Sequence, residues 1–294
     1  MPGHHIAVAG CRRHPGAAAT DLHADPDAAP LQRALQDLGA ETALLSWDDP
    51  AADWGSFAQV VISSTWDSVD HPDEYLAWAR WVSTVSKLVN PLVVIEWNLD
   101  KVHHRELAAA ALPLIPTEWI PPGVGWKPPE WGEFVVKPSV SAGGRSTARY
   151  TSGDAVASAH VAELHAAGQT VMGQEYVRSV DGEGETDLTF IAGQFSHAVG
   201  KKPLLRPGEA AGERPWEKMA WTGLLEPTGE QRRVAAEAMH AVSARLGLTP
   251  PYGRVDLVTG SSGGSLVLEV ELIDPYLGLD LQPVAAHHLA RALS

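Results

Sequence analysis

Cysteine is all but missing: Cys11 stands alone in 294 residues. That excludes an intramolecular disulfide and fits a reducing compartment. Lysine is scarce as well, with only Lys87, Lys101, Lys127, Lys137, Lys201, Lys202 and Lys218. Basic residues number 22 against 36 acidic ones, a net charge of −14. Such a balance argues against a nucleic-acid surface or an anionic-membrane surface. No apolar run approaches the roughly 20 residues of a membrane span. The opening MPGHHIAVAG has no basic stretch ahead of its short apolar run, so no secretory leader is expected and a cytoplasmic protein is. Two nucleotide motifs are lacking too. Neither GxGxxG nor GxxxxGK[ST] occurs, which disfavours a Rossmann dehydrogenase and a P-loop enzyme.

What is present reads first as an α/β unit. His5–Ala9, Thr42–Ser46, Gln59–Ser63 and Leu92–Ile95 are short apolar runs expected as strands. Between them Leu31–Leu38, closed by Gly39, and Tyr75–Val85 carry helical spacing. Strands alternating with helices predict a parallel sheet, whose ligands gather at the strands' carboxyl ends. Arg12, Arg13, Ser64, Thr65 and Asp67 fall on that rim and are candidates for an amino-acid substrate, which needs a cation for its carboxylate and an acceptor for its ammonium. Trp66 packing a domain interface is the plainer alternative.

Asn98–Ala111 is expected as a helix with Asn98 as its cap and Lys101 in its first turn. A cation there opposes the helix dipole unless an anion compensates it, so Lys101 is either a phosphate contact or a solvated side chain. Pro113–Pro129 is a connection. EFVVKP (133–138) is a strand with Lys137 at its end, followed at once by SVSAGGRST (139–147). A lysine beside a loop of small residues can present an ammonium and several N–H groups to polyphosphate. Further on come a helix over Ala155–Ala167, strands over Val171–Val177, Thr186–Ala192 and Gln194–Gly200, and a helix over Thr228–Leu246; His287–Leu293 closes the chain as a short helix. The Pro/Gly-rich stretch 203–230 lacks periodicity, as loops that cover sites often do.

YGRVDLVTGSSGGSLVLEVELIDP (252–275) is the richest stretch. It reads as a hairpin turning at Thr259–Ser265. Strand alternation puts Arg254, Asp256, Glu269 and Glu271 on one face and Leu266, Leu268, Val270 and Leu272 mostly on the other. Three close carboxylates repel one another and take up protons unless a cation neutralises them. All-oxygen ligands beside room for phosphate suit Mg2+. A solvated hairpin face is the bland alternative. The adjacent pairs His4–His5, His103–His104 and His287–His288 do not make a metal site, because neighbours in a helix or strand point apart.

The order Lys101, VVKP with Lys137, SAGGRST, VMGQEYV, GET with Glu185, HAVGK with Lys201, YGRVD and LEVE, over residues 98–275, resembles the ATP-grasp superfamily of carboxylate–amine ligases. SSTWDSVDHPDEYLAWA, NPLVVIEWNLDKVHHREL and FVVKPSVSAGGRSTARY narrow the likeness to the O-ureidoserine cyclo-ligase group, which makes cycloserine. The resemblance implies an ATP-grasp fold, α/β with α+β character in its ATP-binding part. It divides into a leading domain (1–98), a central ATP-binding subdomain (99–177) and a last subdomain with the metal site (178–294). It implies that Lys101, Lys137, Ser141, Gly143, Gly144, Arg145 and Ser146 meet the phosphates. Gln174, Tyr176 and Val177 would line the adenine pocket, Glu185 would hold the ribose, and Lys201 would reach the terminal phosphate. Asp256, Glu269 and Glu271 would bind Mg2+, with Mn2+ as an alternative, and Arg254, Lys201 and Lys137 would be catalytic. ATP and an amino-acid-like molecule would be the substrates, with self-association left open. Ring closure within one molecule, ligation of two molecules, and a non-catalytic ATP-binding regulator are the activities compatible with this pattern. Glu271 replaces a more usual Asn, Ser63 a usual Arg, and IDPYL a usual TEPSL.

Overall fold

A computed structural model describes residues 5–11, 25–205 and 221–293. The leading sheet is parallel, in the order β2-β1-β3-β4, with β1 at His5–Gly10, β2 at Glu41–Ser46, β3 at Gln59–Ser64 and β4 at Lys87–Val89. Helix α1 (Ala28–Asp37) lies on one face and buries Leu31, Ala34 and Leu35. The other face is covered by α2 (Pro72–Val85), which opens on a proline at its first turn and buries Tyr75, Trp78, Ala79 and Val82. Trp47, Trp54 and Trp78 share this second core, which accounts for three of the eleven tryptophans.

The run Leu92–Ile95 is a correction: it belongs to helix α3 (Leu92–Asn98), and the fourth strand is the short KLV upstream. Asn90, with φ at 58°, turns the chain between them, and Pro91 starts the helix. Val94, Ile95 and Asn98 are buried at helical spacing, a period that an apolar run of four cannot reveal. The expected helix 98–111 is shorter too. A single 3-10 turn, Lys101–His103, is capped by the Asp100 side chain and leads into α4 (His104–Ala109). Asn98 is no cap. Its amide side chain meets the backbone of residues 270 and 272, at 2.9 and 2.8 Å, and so pairs with a strand edge.

The second sheet is antiparallel, in the order β5-β8-β6-β7, from β5 (Thr117–Ile120), β6 (Glu133–Pro138), β7 (Ala148–Thr151) and β8 (Val171–Glu175). Helix α5 (Ala155–Ala166) closes its core over Phe134, Val136 and Val171. One turn of helix, α6 (Val180–Glu183), leads to the third sheet, ordered β11-β10-β9-β12-β13. Its strands are β9 (Glu185–Ile191), β10 (Gln194–Lys201), β11 (Trp221–Leu225), β12 (Tyr252–Thr259) and β13 (Ser265–Glu271). Strand β11 lies inside the stretch expected to be aperiodic. Helix α7 (Gly229–Leu246) starts with a reciprocal Thr228–Gln231 capping box, ends at left-handed Gly247, and buries Val234, Ala238 and Val242 under the sheet. The last helix, α8 (Pro283–Leu293), starts four residues earlier than its sequence pattern indicated and packs against α1. Among the described residues no helix is long and apolar enough to cross a membrane.

The register of the hairpin decides the site. Arg254 pairs with Glu271 and Asp256 with Glu269, as strand alternation predicts. The pairing then slips, because Leu257 faces Val267, which leaves Leu268 as the extra residue of a bulge. The consequence corrects the expected apolar face. Val267 joins the core with Val270 and Leu272, whereas Leu268 turns to the cavity beside Glu269.

Candidate active site

A cavity lies between the second and third sheets and is closed at one end by the loop after β3. Lys101, Lys137, Gly143, Gly144, Gln174, Tyr176, Val177, Glu185, Lys201, Arg254, Glu269 and Glu271 all border it. Lys137, next to last in β6, holds its ammonium 2.9 Å from Glu269 Oε1. Lys101 donates to the Ser141 carbonyl, and Ser141 Oγ donates to the Pro138 carbonyl at 3.1 Å. The turn they anchor needs left-handed backbone at Gly143 (φ 60°) and Gly144 (φ 73°), which glycine adopts without strain.

On the third sheet the charges interlock. Arg254 forks onto Asp256 at 2.6 and 2.9 Å, reaches Glu271 at 2.8 Å and donates to the Tyr276 carbonyl at 3.0 Å. Lys201, opposite Glu185 in the β9–β10 pair, sits 2.5 Å from that carboxylate and 3.8 Å from both Asp187 and Asp256. Asp256, Glu269 and Glu271 can place one oxygen each within 4.8 Å of the others, and so can Glu185, Asp187 and Asp256. The first trio suits a hard divalent cation, since all its donors are carboxylate oxygens and it opens on the cavity through Glu269 and Glu271. The second trio already encloses the Lys201 ammonium.

These surroundings set protonation. Glu271 is pushed up to about 8 by burial and by Asp256 and Glu269, against the pull of Arg254. Burial works against the Glu269 charge as well, but Lys137 and Lys101 outweigh it and hold that carboxyl well below its usual range. Asp187 rises to about 7 through burial and the facing Asp256. Lys201 is desolvated, yet Asp187, Glu185 and Asp256 keep its ammonium well above the ordinary lysine value.

Several expected side chains, most of them on the cavity lining, are engaged by protein partners. Glu185 spends its carboxylate on Lys201. The Gln174 amide donates to Thr117 Oγ1 at 3.1 Å. Tyr176 lies under the Arg149 guanidinium, 3.5 Å from the ring centroid, with its hydroxyl donated to Asp181. Ser146 is exposed and does not border the cavity, and Arg145 reaches the leading domain, with Nη1 2.7 Å from the Trp66 carbonyl. Ser64, Thr65 and Asp67 stand behind the cavity wall: Thr65 bonds Asp274 at 2.9 Å, and Asp67 accepts from the Trp47 indole at 3.1 Å. The wall itself carries Trp66, Ser68, Asp274, Tyr276 and Trp221. Arg12 and Arg13 lie outside the described residues.

Asp187 was missed by the sequence reading. Its signal is the alternation Glu185-Thr186-Asp187 at a strand start, which puts both carboxylates on one face, and β9 pairs Asp187 directly with Asp256.

A family profile described as the N-terminal domain of D-cycloserine synthetase DcsG matches residues 6–90. The cycloserine biosynthesis protein DcsG of Streptomyces lavendulae is 38% identical over 288 residues, spanning 94% of this chain and 95% of the relative. The chain belongs to the DcsG family. A crystal structure of D-cycloserine synthetase DcsG superposes with a TM-score of 0.88 at 37% identity, over 98% of both chains. A D-alanine–D-alanine ligase from Bacillus anthracis, complexed with ATP, gives 0.65 at 13% identity over 99% of this chain and 95% of its own. A RimK-domain ATP-grasp protein from Sphaerobacter thermophilus gives 0.63 at 15% identity over 98% of each. The last two likenesses speak to the fold alone, and that fold is ATP-grasp. The chain is an ATP-grasp ligase.

Proposed function

We propose that the chain phosphorylates the carboxylate of an amino-acid-like substrate with ATP and lets an amine of the same molecule displace the phosphate, closing a cycloserine-type ring. The observation that carries the reading is the meeting, in one cavity of a DcsG-family chain, of Lys101, Lys137, Lys201 and Arg254 with Glu269 and Glu271, behind which Asp256 completes the carboxylate trio. A carboxylate and a triphosphate repel, so their reaction needs fixed positive charge and in-line positioning. Lys101 and Lys137 are assigned to the phosphates nearer the base, and Lys201 to the terminal one. Asp256, Glu269 and Glu271 are assigned to Mg2+, which when bound neutralises phosphate charge; Mn2+ fits the same oxygen donors. Arg254 is assigned to the developing negative charge on the acyl group, held for that purpose by Asp256 and the Tyr276 carbonyl. Apolar Ile115, Val135, Val258 and Leu268 supply the walls for adenine, and Trp66, Asp274 and Tyr276 those for the amino-acid end. Water must be kept from the acyl phosphate until the amine attacks.

A panel of amino acids, screened for ADP release with products identified by mass spectrometry, tests the reading: one of them alone should support ADP formation. A lysine comparison tests the assignment. Lys137→Ala should lower kcat by on the order of 10²–10³, as removal of a preorganised charge-stabilising donor does. Lys127 is exposed on a loop, so Lys127→Ala should leave kcat unchanged. Equal losses in both would sink the assignment. Lys218, expected from its context to behave like Lys127, lies outside the described residues.

A further inference from the structure

We propose that Arg145 is a latch between the small-residue turn 141–147 and the amino-acid wall, a positioning residue that keeps ATP consumption coupled to ring closure. The proposal rests on the ligase reading above. Its geometry is a chain of three contacts. Arg145 Nη1 donates to the Trp66 carbonyl at 2.7 Å, with Nε 3.6 Å from Asp70. The Trp66 indole N–H donates to the Asp274 carbonyl at 2.8 Å. The Asp274 carboxylate, three residues beyond Glu271, accepts the Thr65 hydroxyl at 2.9 Å. One residue of the leading domain, Trp66, is thus gripped through its carbonyl by the turn and through its side chain by the segment that continues the carboxylate strand.

The turn has a second anchor of a different kind. Its first residue, Ser141, is held by Lys101, while its own backbone is closed by Arg145 N–H to Ala142 and Thr147 N–H to Gly144, both at 3.2 Å. The Arg145 guanidinium, only 17% exposed, is the part that crosses to the leading domain. Closing the turn therefore sets Trp66, and a misplaced Trp66 holds the turn off. The two alternatives for the acyl phosphate differ in what attacks its carbonyl. In ring closure an N–H nitrogen of the same molecule forms the C–N bond, the C–O bond to phosphate breaks with its electron pair leaving on phosphate, and the nitrogen loses its proton. When the turn opens early, water attacks instead, the carboxylic acid is regenerated, and the net reaction is ATP plus water to ADP plus phosphate.

Arg145→Ala should raise the ADP formed per cyclised product several-fold above the wild-type value of one, with KM for ATP unchanged. Trp66→Phe, which keeps an aromatic ring but deletes the indole donor, should uncouple as well. Asp70→Ala, removing a half-exposed partner, should not, and Arg145→Lys should restore part of the coupling. Amide hydrogen exchange over 141–147, read with a non-hydrolysable ATP analogue bound, should speed up in Arg145→Ala and Trp66→Phe. A raised KM for ATP with the ratio still at one would make Arg145 a phosphate contact and overturn the latch. Unchanged exchange in both variants would overturn it irrespective of any catalytic assay. A wild-type protein that forms no ADP with any amino acid contradicts the ligase reading itself, whatever the exchange result.

Discussion

Glu269→Gln and Glu271→Gln should each reduce turnover by on the order of 10³, yet shift the stability of the nucleotide-free, metal-free protein in opposite directions. Both remove a carboxylate from the candidate cation trio, and each loss leaves too little charge to hold the ion that offsets the phosphates. Their neighbours differ. Glu269 faces Lys137 at 2.9 Å, and its carboxyl is held well below the usual range, so its charge favours folding. That stability is present above the unfolded carboxylate pKa and is lost as pH falls through the folded value. Glu271 is pushed up to about 8, so it folds best with a proton on. Its contribution is fully present below the unfolded carboxylate pKa and disappears as pH rises through about 8. Thermal melts in EDTA at pH 8.5 should therefore show Glu269→Gln lowered and Glu271→Gln raised. Glu271 is a third exposed, which trims its gain to about 1 kcal/mol, a few degrees in a chain of this size. Shifts of the same sign in both variants would contradict the assigned charge pattern.

Lys201→Ala should be the most damaging single lysine change. It empties the centre of Glu185, Asp187 and Asp256, and among the described residues leaves Arg254 as the cation paired with Asp187 and Asp256. Removing one partner of a buried ionic network costs about 3–5 kcal/mol, about 10 °C in a domain of this size. The damage should depend on pH. Asp187 already titrates at about 7, so at pH 5.5 it carries a proton and the missing ammonium matters less than at pH 8. The deficit in Tm against wild type should accordingly shrink on acidification, and a deficit independent of pH would mean that lost packing, rather than lost charge, is responsible. Turnover should vanish at every pH, because the same ammonium is assigned to the transferred phosphate.

Much of the site was legible because strand alternation is a strict rule. Arg254, Asp256, Glu269 and Glu271 meet as their spacing requires, and Lys137 stands near the end of its strand as placed. The errors have physical sources. The run LVVI is equally apolar as strand or helix, and only Asn90 and Pro91 decide it by breaking the chain after β4. Leu268 leaves the core because a bulge inserts one residue, which alternation alone cannot foresee. Asp187 went unread because its importance comes from a partner in another strand, Asp256, sixty-nine positions on. Arg145 borders the cavity as its loop position implies, and its contact with the Trp66 carbonyl is one that the loop's sequence does not reveal. Backbone pattern says where a residue stands, but a flexible side chain several bonds long chooses its partner in three dimensions.

One amino-acid-like molecule should supply both the carboxylate and the nitrogen that attacks it. O-Ureidoserine, ATP and Mg2+ alone, followed by quantitative mass spectrometry, test it most directly. The account predicts ADP, phosphate and the cyclised product in equal amounts with no second organic substrate present. ADP that forms only when a separate amine is added, with the product joining the two molecules, would contradict it.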